Sequence, residues 1–166
     1  MSAKRLAHLT PTGEARMVDI SDKPVTRREA RATARVRMSA AALKAIVARS
    51  LPKGEVLGTA RLAGIQAAKR CSDLIPMCHP LPLTFVEVDL RVEEARGWIE
   101  IVSTVRCEAR TGAEMEALTA AAIAALTVVD MAKSADPWMT IEGLTLLEKS
   151  GGKSGHLRRR ADGRQT

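Results

Sequence analysis

A chain of 166 residues, 46% hydrophobic and 27% charged, is long enough for one domain with a single hydrophobic core. Three cysteines without paired short spacings argue against a disulfide framework, and the longest uncharged helical stretch, 117–129, is shorter than the roughly 20 residues of a membrane span. No apolar run of the secretory kind follows the first residues. We therefore expect a cytoplasmic protein that does not cross a membrane.

The positive charge of the chain lies at its two ends. The formal net charge is +7, with +5 in residues 1–37, +5 in residues 149–166 and −3 between them. Two tryptophans and one phenylalanine are the only aromatic residues, too few for the stacking surfaces of a single-strand or loop-RNA binder. The pattern predicts no nucleic-acid partner and favours a small anionic ligand. We expect a flexible N-terminal arm over 1–16, one domain over 17–149 and a flexible basic tail over 150–166.

The first regular pattern is a strand. From Ala30 to Met38 small apolar residues alternate with arginines, which predicts a half-buried strand with an arginine-rich face. Ser39 is the expected N-cap of a helix over 40–49. That helix ends before Leu51-Pro52-Lys53-Gly54, a turn that displays Lys53 on a loop.

A proline-braced corner follows a second predicted helix over 55–70. Prolines at positions 76, 80 and 82 fix their own backbone dihedrals and restrict the residue before each, so Cys78 and His79 are presented from a stiff loop. The loop is either a site or a strand entrance in which His79 bonds a nearby carbonyl. Two alternating strands, 83–92 and 98–107, then predict a hairpin turning at 94–97.

The third predicted helix is apolar over much of its length. Thr111 and Glu114 have capping-box spacing at its start, and 117–129 hold no charge, so this helix should be covered on all sides. A single sheet covers one side, which favours a second subunit and hence an oligomer. With a last strand over 139–147, the order predicts an α+β, ferredoxin-like antiparallel sheet packed with helices, with one additional helix.

Ionisable residues lie at both ends of this third helix. Asp130 and Lys133 are three residues apart near its end, consistent with a proton-transfer pair or with a surface ion pair. Glu116 lies on the same side of the helix as Asp130 but about 21 Å away along the axis. One subunit therefore offers two half-sites, which an antiparallel dimer could bring together.

Two further patterns predict no site. Cys71, Cys78 and His79 lack the spacing of a structural zinc site, so we expect neither a metal nor a cofactor. Gly152-Lys153-Ser154 imitates the end of a phosphate loop, but Leu147 replaces the required glycine. The segment is either a solvated linker or a tail that folds over a phosphate.

Several ordered motifs together closely resemble the molybdenum cofactor biosynthesis protein C family, the cyclic pyranopterin monophosphate synthases. The likeness runs from about residue 17 to residue 155, with small departures at Cys71, where threonine is common, Met77 and Val129. The motifs are Ala63-Gly64-Ile65-Gln66-Ala67-Ala68-Lys69-Arg70, Asp73-Leu74-Ile75-Pro76, Cys78-His79-Pro80-Leu81, Glu114-Met115-Glu116-Ala117-Leu118-Thr119-Ala120, Asp130-Met131 with Lys133, and Lys149-Ser150-Gly151-Gly152-Lys153-Ser154-Gly155.

The resemblance implies an activity and an assembly. It implies that the 17–149 domain is catalytic and converts a 3′,8-cyclised dihydro-GTP triphosphate to cyclic pyranopterin monophosphate and diphosphate, as a phosphorus–oxygen lyase. It also implies a hexamer, a trimer of dimers with the pocket at the dimer interface. The alternative is a non-catalytic nucleotide-binding regulator, which would bind the triphosphate without releasing diphosphate.

The resemblance also implies roles for individual residues. Asp130 would be the catalytic acid/base with Lys53 and Lys133 as partners, and Arg28 and Lys149 would contact the phosphates. The remaining implied substrate contacts are Met77, Cys78, His79, Glu114, Met115 and Glu116. Proton transfers and a departing diphosphate require acid/base groups and cations, and we expect the arginine-rich strand face to supply some of the latter.

Overall fold

A computed structural model describes residues 12–153 and 155–160 of the chain; Ser154 and the outer parts of the predicted arm and tail, 1–11 and 161–166, lie outside them. The described residues form a five-stranded antiparallel sheet in the order β2-β3-β1-β4-β5 with four helices. The predicted α+β, ferredoxin-like order is confirmed. The elements are β1 (Thr26–Arg37), α1 (Ala40–Val47), α2 (Val56–Ala68), α3 (Cys71–Leu74), β2 (Leu83–Glu93), β3 (Trp98–Ala109), α4 (Glu114–Ala132), β4 (Thr140–Ser150) and β5 (Leu157–Arg158).

The central strand β1 has two unlike faces. Ala30, Ala32, Ala34 and Val36 are at most 1% exposed and belong to the core under the helices. The arginines between them lie on the other face, as alternation along a strand requires. They pair with glutamates of neighbouring strands: Arg31 with Glu148, Arg35 with Glu100 and Arg37 with Glu142. The predicted half-buried strand is confirmed and begins four residues earlier, at Thr26.

The first two helices begin with side-chain caps. The Ser39 hydroxyl accepts a hydrogen bond from the Ala42 amide, so the predicted cap of α1 is confirmed. The Glu55 carboxylate caps α2 by accepting from the amides of Leu57 and Gly58. α2 ends at Ala68, before the predicted residue 70, and the single-turn helix α3 follows directly.

Helices α2 and α4 pack closely because their contact residues are small. A methyl group at Gly64 would lie 2.8 Å from the carbonyl oxygen of Ala120 and 3.2 Å from the Ala124 side chain. The alanine-rich middle of α4 also packs on β1 and β3, where the buried Ser103 hydroxyl donates to the Ala117 carbonyl at 2.6 Å. These contacts hold the first part of α4 against α2 and the sheet.

The start of α4 differs from prediction. The N-cap is Ala113, without a side-chain cap, and Glu114 instead accepts from Lys149, so the predicted Thr111–Glu114 capping box is wrong. The single chain leaves part of α4 uncovered, with Leu126 53% exposed and Met115 38% exposed, and cover by a second subunit stays a prediction. By length and composition alone α4 could span a membrane, yet half of it is buried within the protein, as in a core helix.

The two edges of the sheet differ in what they contact. Arg61 of α2 donates from Nε to the carbonyl of Val88 on the edge strand β2, at 3.0 Å. At the other edge, β4 runs to Ser150 and pairs with β5, a two-residue strand that sequence patterns did not indicate. β5 lies within the segment predicted as a tail; the flexibility of that segment stays a prediction.

Candidate active site

A pocket of about 360 Å³ opens at the N-terminal end of α4. It lies between the segment before β1, the proline-braced corner and the first turn of α4. Six of the predicted substrate contacts line it together, although they come from two distant parts of the chain. The lining residues are Val18, Ile20, Lys23, Met77, Cys78, His79, Leu81, Thr111, Gly112, Glu114, Met115 and Glu116.

His79 has a structural bond and also faces this pocket. Its Nε2 lies 2.9 Å from the carbonyl oxygen of Val18, and since a carbonyl only accepts, Nε2 carries the hydrogen. The predicted bond from His79 to a nearby carbonyl is confirmed, whereas the interpretation of the corner as a site stays a prediction. The bond fixes the ring and holds the segment before β1 against the pocket, where Arg110 also donates to the Ser21 carbonyl.

A pair of opposite charges joins the pocket to β4, because Glu114 lines the pocket and Lys149, which does not, lies on β4. Lys149 Nζ donates to Glu114 Oε1 at 2.6 Å, and both side chains are less than one third exposed. Arg28 lies at the same end of the sheet, and its Nε is buried without a hydrogen-bond partner among the described residues. A side chain at Gly152 would collide with the Arg28 guanidinium, so this glycine lets the chain pass directly over it.

Glu116 is a buried acid in the pocket wall. It is 4% exposed, and desolvation raises the pKa of its carboxyl, with the charge of Glu114 acting in the same direction. Its hydrogen bond to Cys71 lowers the pKa by less than burial raises it. Glu116 is thus suited to hold a proton under conditions in which an exposed glutamate has lost it.

The second group of predicted residues lies at the other end of α4. Lys53 Nζ donates to Asp130 Oδ2 at 2.6 Å, and Lys133 Nζ donates to Oδ1 at 2.9 Å. The bonds from Lys53 and then Lys133 lower the pKa of the Asp130 carboxyl to about 2. All three side chains are about half exposed, so this triad, defined as Lys53, Asp130 and Lys133, is open to an incoming group.

The structure therefore divides the predicted site residues between two places on one chain. The pocket and the triad are about 21 Å apart, the length of fourteen residues of helix at about 1.5 Å each. The arginine-rich face of β1 contributes to neither, because Arg31, Arg35 and Arg37 are paired with glutamates on the face of the sheet away from the helices. The expectation that this face supplies cations is wrong for the single chain.

Sequence reasoning missed Lys23. This lysine lines the pocket from the segment before β1, opposite His79. One weak signal exists: Lys23 precedes Pro24 and lies three residues after the apolar Ile20. Among residues 12–153 and 155–160 there is no group of three His, Cys, Asp or Glu side chains that could hold a metal ion.

Comparison with known proteins gives the same assignment as the motifs. The chain is 55% identical over 150 residues to a cyclic pyranopterin monophosphate synthase of Herpetosiphon aurantiacus, covering 90% of this chain and 92% of that protein. It is 55% identical over 155 residues to the protein of that name from Parvibaculum lavamentivorans, covering 93% and 97%. The sequence profile of the MoaC family matches residues 17–152. The chain belongs to the MoaC family.

Proposed function

We propose that the protein is a cyclic pyranopterin monophosphate synthase acting in molybdenum cofactor biosynthesis. It converts the 3′,8-cyclised dihydro-GTP triphosphate to cyclic pyranopterin monophosphate and expels diphosphate, which makes it a phosphorus–oxygen lyase. The single observation that carries the proposal is the Lys53–Asp130–Lys133 triad, at 2.6 and 2.9 Å, in a chain 55% identical to proteins of that name. An enzyme of this kind works in the cytoplasm.

The triad has the properties of an acid/base centre. Asp130 stays ionised because the two ammonium groups lower the pKa of its carboxyl. Each lysine can in turn donate a proton beside it or accept one. The half-exposed lysines also stabilise negative charge that develops on a bound substrate.

The pocket has the properties of a substrate-binding site. Met77, Cys78 and Met115 supply apolar and polarisable walls, while His79 and Glu116 supply polar groups at fixed positions. Lys23 is a cation in the pocket lining, and Arg28 and Lys149, which lie outside that lining, would contact the phosphates. Glu114 orients Lys149 through their half-buried pair. Each of these roles is assigned to a side chain of the protein.

We further propose that two chains complete each site. The triad and the pocket of one chain are too far apart to act on one small substrate, and the exposed apolar residues of α4, such as Leu126, favour burial against a second copy. An antiparallel arrangement of two α4 helices brings the pocket of one chain to the triad of the other. Three such dimers make the expected hexamer.

Turnover distinguishes this proposal from a nucleotide-binding regulator. The purified protein is incubated with the cyclised triphosphate, and diphosphate release is measured together with the pterin product. A synthase yields both in equal amounts. Binding of the triphosphate without either product would instead establish the regulator.

Mixing two inactive variants tests the shared site. Asp130→Ala lacks the triad and His79→Ala lacks a pocket residue, so each alone is expected to be inactive. In co-expressed mixtures half of the dimers are mixed and each has one intact site, which predicts about a quarter of the wild-type activity. If verified mixed dimers are present and no activity is recovered, the two-chain site is contradicted. The assignment as a synthase would still stand.

A further inference from the structure

A short segment before β1, residues 18–23, runs along the pocket, and we call it the strap. The Lys23 amide donates to the Ile20 carbonyl at 3.0 Å, and the Ser21 amide donates to the Asp19 carboxylate at 2.9 Å. These bonds give the strap the shape of a turn but do not attach it to the rest of the protein. The strap residues that line the pocket are Val18, Ile20 and Lys23.

Two side chains from outside the strap hold it in place. His79, in the proline-braced corner, donates from Nε2 to the Val18 carbonyl at 2.9 Å. Arg110, in the loop between β3 and α4, donates from Nη1 to the Ser21 carbonyl. Arg110 reaches the strap because the end of β3 pairs with the start of β1 in the sheet. The strap is thus attached at two points, one on each side of Ile20.

Arg110 contacts the peptide that decides the form of the turn. The middle peptide joins Ser21 to Asp22, and two common forms of such a turn differ by a flip of this peptide. The flipped form needs a positive φ at the third residue, which aspartate tolerates better than most residues. In the described part of the chain, the only positive φ outside glycine is at Arg49, so Asp22 has the unflipped form. The bond from Arg110 to the Ser21 carbonyl fits this form and therefore stabilises it.

Lys23 differs from the other cations of the proposed site in having no acidic partner. Lys149 is paired with Glu114, and the two lysines of the triad share Asp130. Lys23 lines the pocket and forms no ion pair with any residue that the structure describes. Its charge is therefore available to an anionic ligand, provided that the strap keeps it at the pocket.

We propose that Arg110 is a positioning residue of the active site. Through the Ser21 carbonyl it holds the strap against the pocket, so that Lys23 faces the negative charge of the bound substrate. Without this bond the strap keeps only its attachment at Val18, and Lys23 spends part of the time outside the pocket. Arg110 does not line the pocket itself, so its effect on the substrate is indirect. The role of Lys23 rests on the proposed function, whereas the attachment of the strap does not.

Hydrogen exchange of the full chain tests the attachment without any substrate. Arg110→Met removes the guanidinium, so the amides of Ser21 and Lys23 are expected to exchange about 3- to 10-fold faster, the worth of one hydrogen bond. Arg110→Lys keeps the charge and a donor and should exchange nearly as wild type. Arg91→Met, which removes an exposed arginine of β2, is the matched control. Unchanged exchange in the strap of Arg110→Met would overturn the proposal.

A double-mutant cycle tests whether Arg110 acts through Lys23. In Lys23→Met we expect KM for the cyclised triphosphate to rise about 10-fold with kcat nearly unchanged, since a contact to the phosphates is made before and during the reaction. Arg110→Met should raise KM less, by about 3-fold, because Lys23 still reaches the pocket part of the time. In the double variant, Arg110→Met should add nothing to the effect of Lys23→Met.

The outcomes separate this proposal from the proposed function. If KM of the double variant rises by the product of the two single effects, Arg110 acts independently of Lys23 and the proposal is overturned. A wild-type KM in Arg110→Met would overturn it as well. If the wild-type protein has no turnover while exchange in the strap responds to Arg110→Met, the proposed function and the role of Lys23 fail, and the attachment of the strap by Arg110 is established.

Discussion

The two ends of α4 carry the same kind of functional group in opposite states. At the first end, Glu116 is 4% exposed and burial raises its pKa, so the acid tends to keep its proton. At the other end, Asp130 is exposed between two lysines, which lower its pKa to about 2. Environment rather than residue type therefore decides which carboxyl can donate a proton and which stays an anion. One helix thus presents a proton donor and an anionic centre.

The largest expected effect is at the exposed end. Asp130→Asn keeps the shape of the side chain and removes its charge, so we expect product formation to fall by about 10²–10⁴-fold, the usual contribution of a general acid or base. The thermal unfolding midpoint should hardly change, because Asp130 is exposed. Asp89→Asn, another exposed aspartate in an ion pair, is the matched control and should keep full activity. Normal turnover in Asp130→Asn would remove the triad from the mechanism.

The middle of α4 holds its two ends in register, and Gly64 is the place to disturb it. In Gly64→Ala the new methyl group meets the Ala120 carbonyl oxygen at 2.8 Å, which forces α2 and α4 apart. We expect the free energy of unfolding to fall by about 1–3 kcal/mol, as for other overpacked cores, measured by urea denaturation. Gln66→Ala, at an exposed position of the same helix, should not lower it. A Gly64→Ala protein as stable as wild type would mean that the close approach is not needed.

A smaller effect is expected at the Lys149–Glu114 pair. Lys149→Met leaves Glu114 half-buried without its partner, so we expect a loss of about 1 kcal/mol in the free energy of unfolding. Because Lys149 is also a proposed phosphate contact, KM should rise more than kcat falls. Lys44→Met changes an exposed lysine of α1 and serves as the control. A fall confined to kcat would reassign Lys149 from binding to catalysis.

The smallest effect is a difference in pH dependence between the two ends. The pKa of Glu116 is raised above its ordinary value of 4.5, so the folded protein binds its proton more tightly than the unfolded chain does. Stability from this group is therefore lost as pH rises above 4.5 and through the raised pKa. Asp130 acts in the opposite direction: its contribution is present above 3.8 and is lost as pH falls toward about 2.

Urea denaturation of Glu116→Gln across a pH series tests the sign. The variant lacks the titrating group, so its stability should decline less than that of wild type as pH rises above 4.5. Asp130→Asn should instead lose less stability than wild type at the acidic end of the pH series. Parallel curves for wild type and Glu116→Gln would show that Glu116 is not desolvated in the folded protein.

Sequence patterns predicted the features that depend on neighbouring residues. The alternation in β1, the Ser39 cap and the i,i+3 spacing of Asp130 and Lys133 all follow from local geometry, and all are present in the structure. The capping box failed because a contact 35 residues away in sequence, from Lys149, takes the Glu114 carboxylate. β5 was not predicted for a similar reason. A strand of two residues is too short to show an alternating pattern, so its formation depends on pairing with β4.

The candidate site was predicted by motif resemblance more than by pattern. Motifs indicated the residues at both ends of α4. The weak signal beside Pro24 was not enough to predict that Lys23 reaches the pocket, because its position depends on the His79–Val18 and Arg110–Ser21 bonds. The arginine-rich face of β1 misled for a related reason. Its glutamate partners lie on other strands and become neighbours only when the sheet forms.

The hydrogen bond from Arg61 to the Val88 carbonyl has a consequence for the behaviour of the protein at high concentration. An outer strand with free acceptors is a template on which a foreign chain can extend the sheet, the first event in fibrous aggregation. A guanidinium already occupying one of those acceptors, with its positive charge beside it, opposes that addition at the middle of β2. The Arg61 side chain thus opposes intermolecular strand pairing at this edge and helps to keep the protein from aggregating. Other surfaces of the protein remain free for specific contacts.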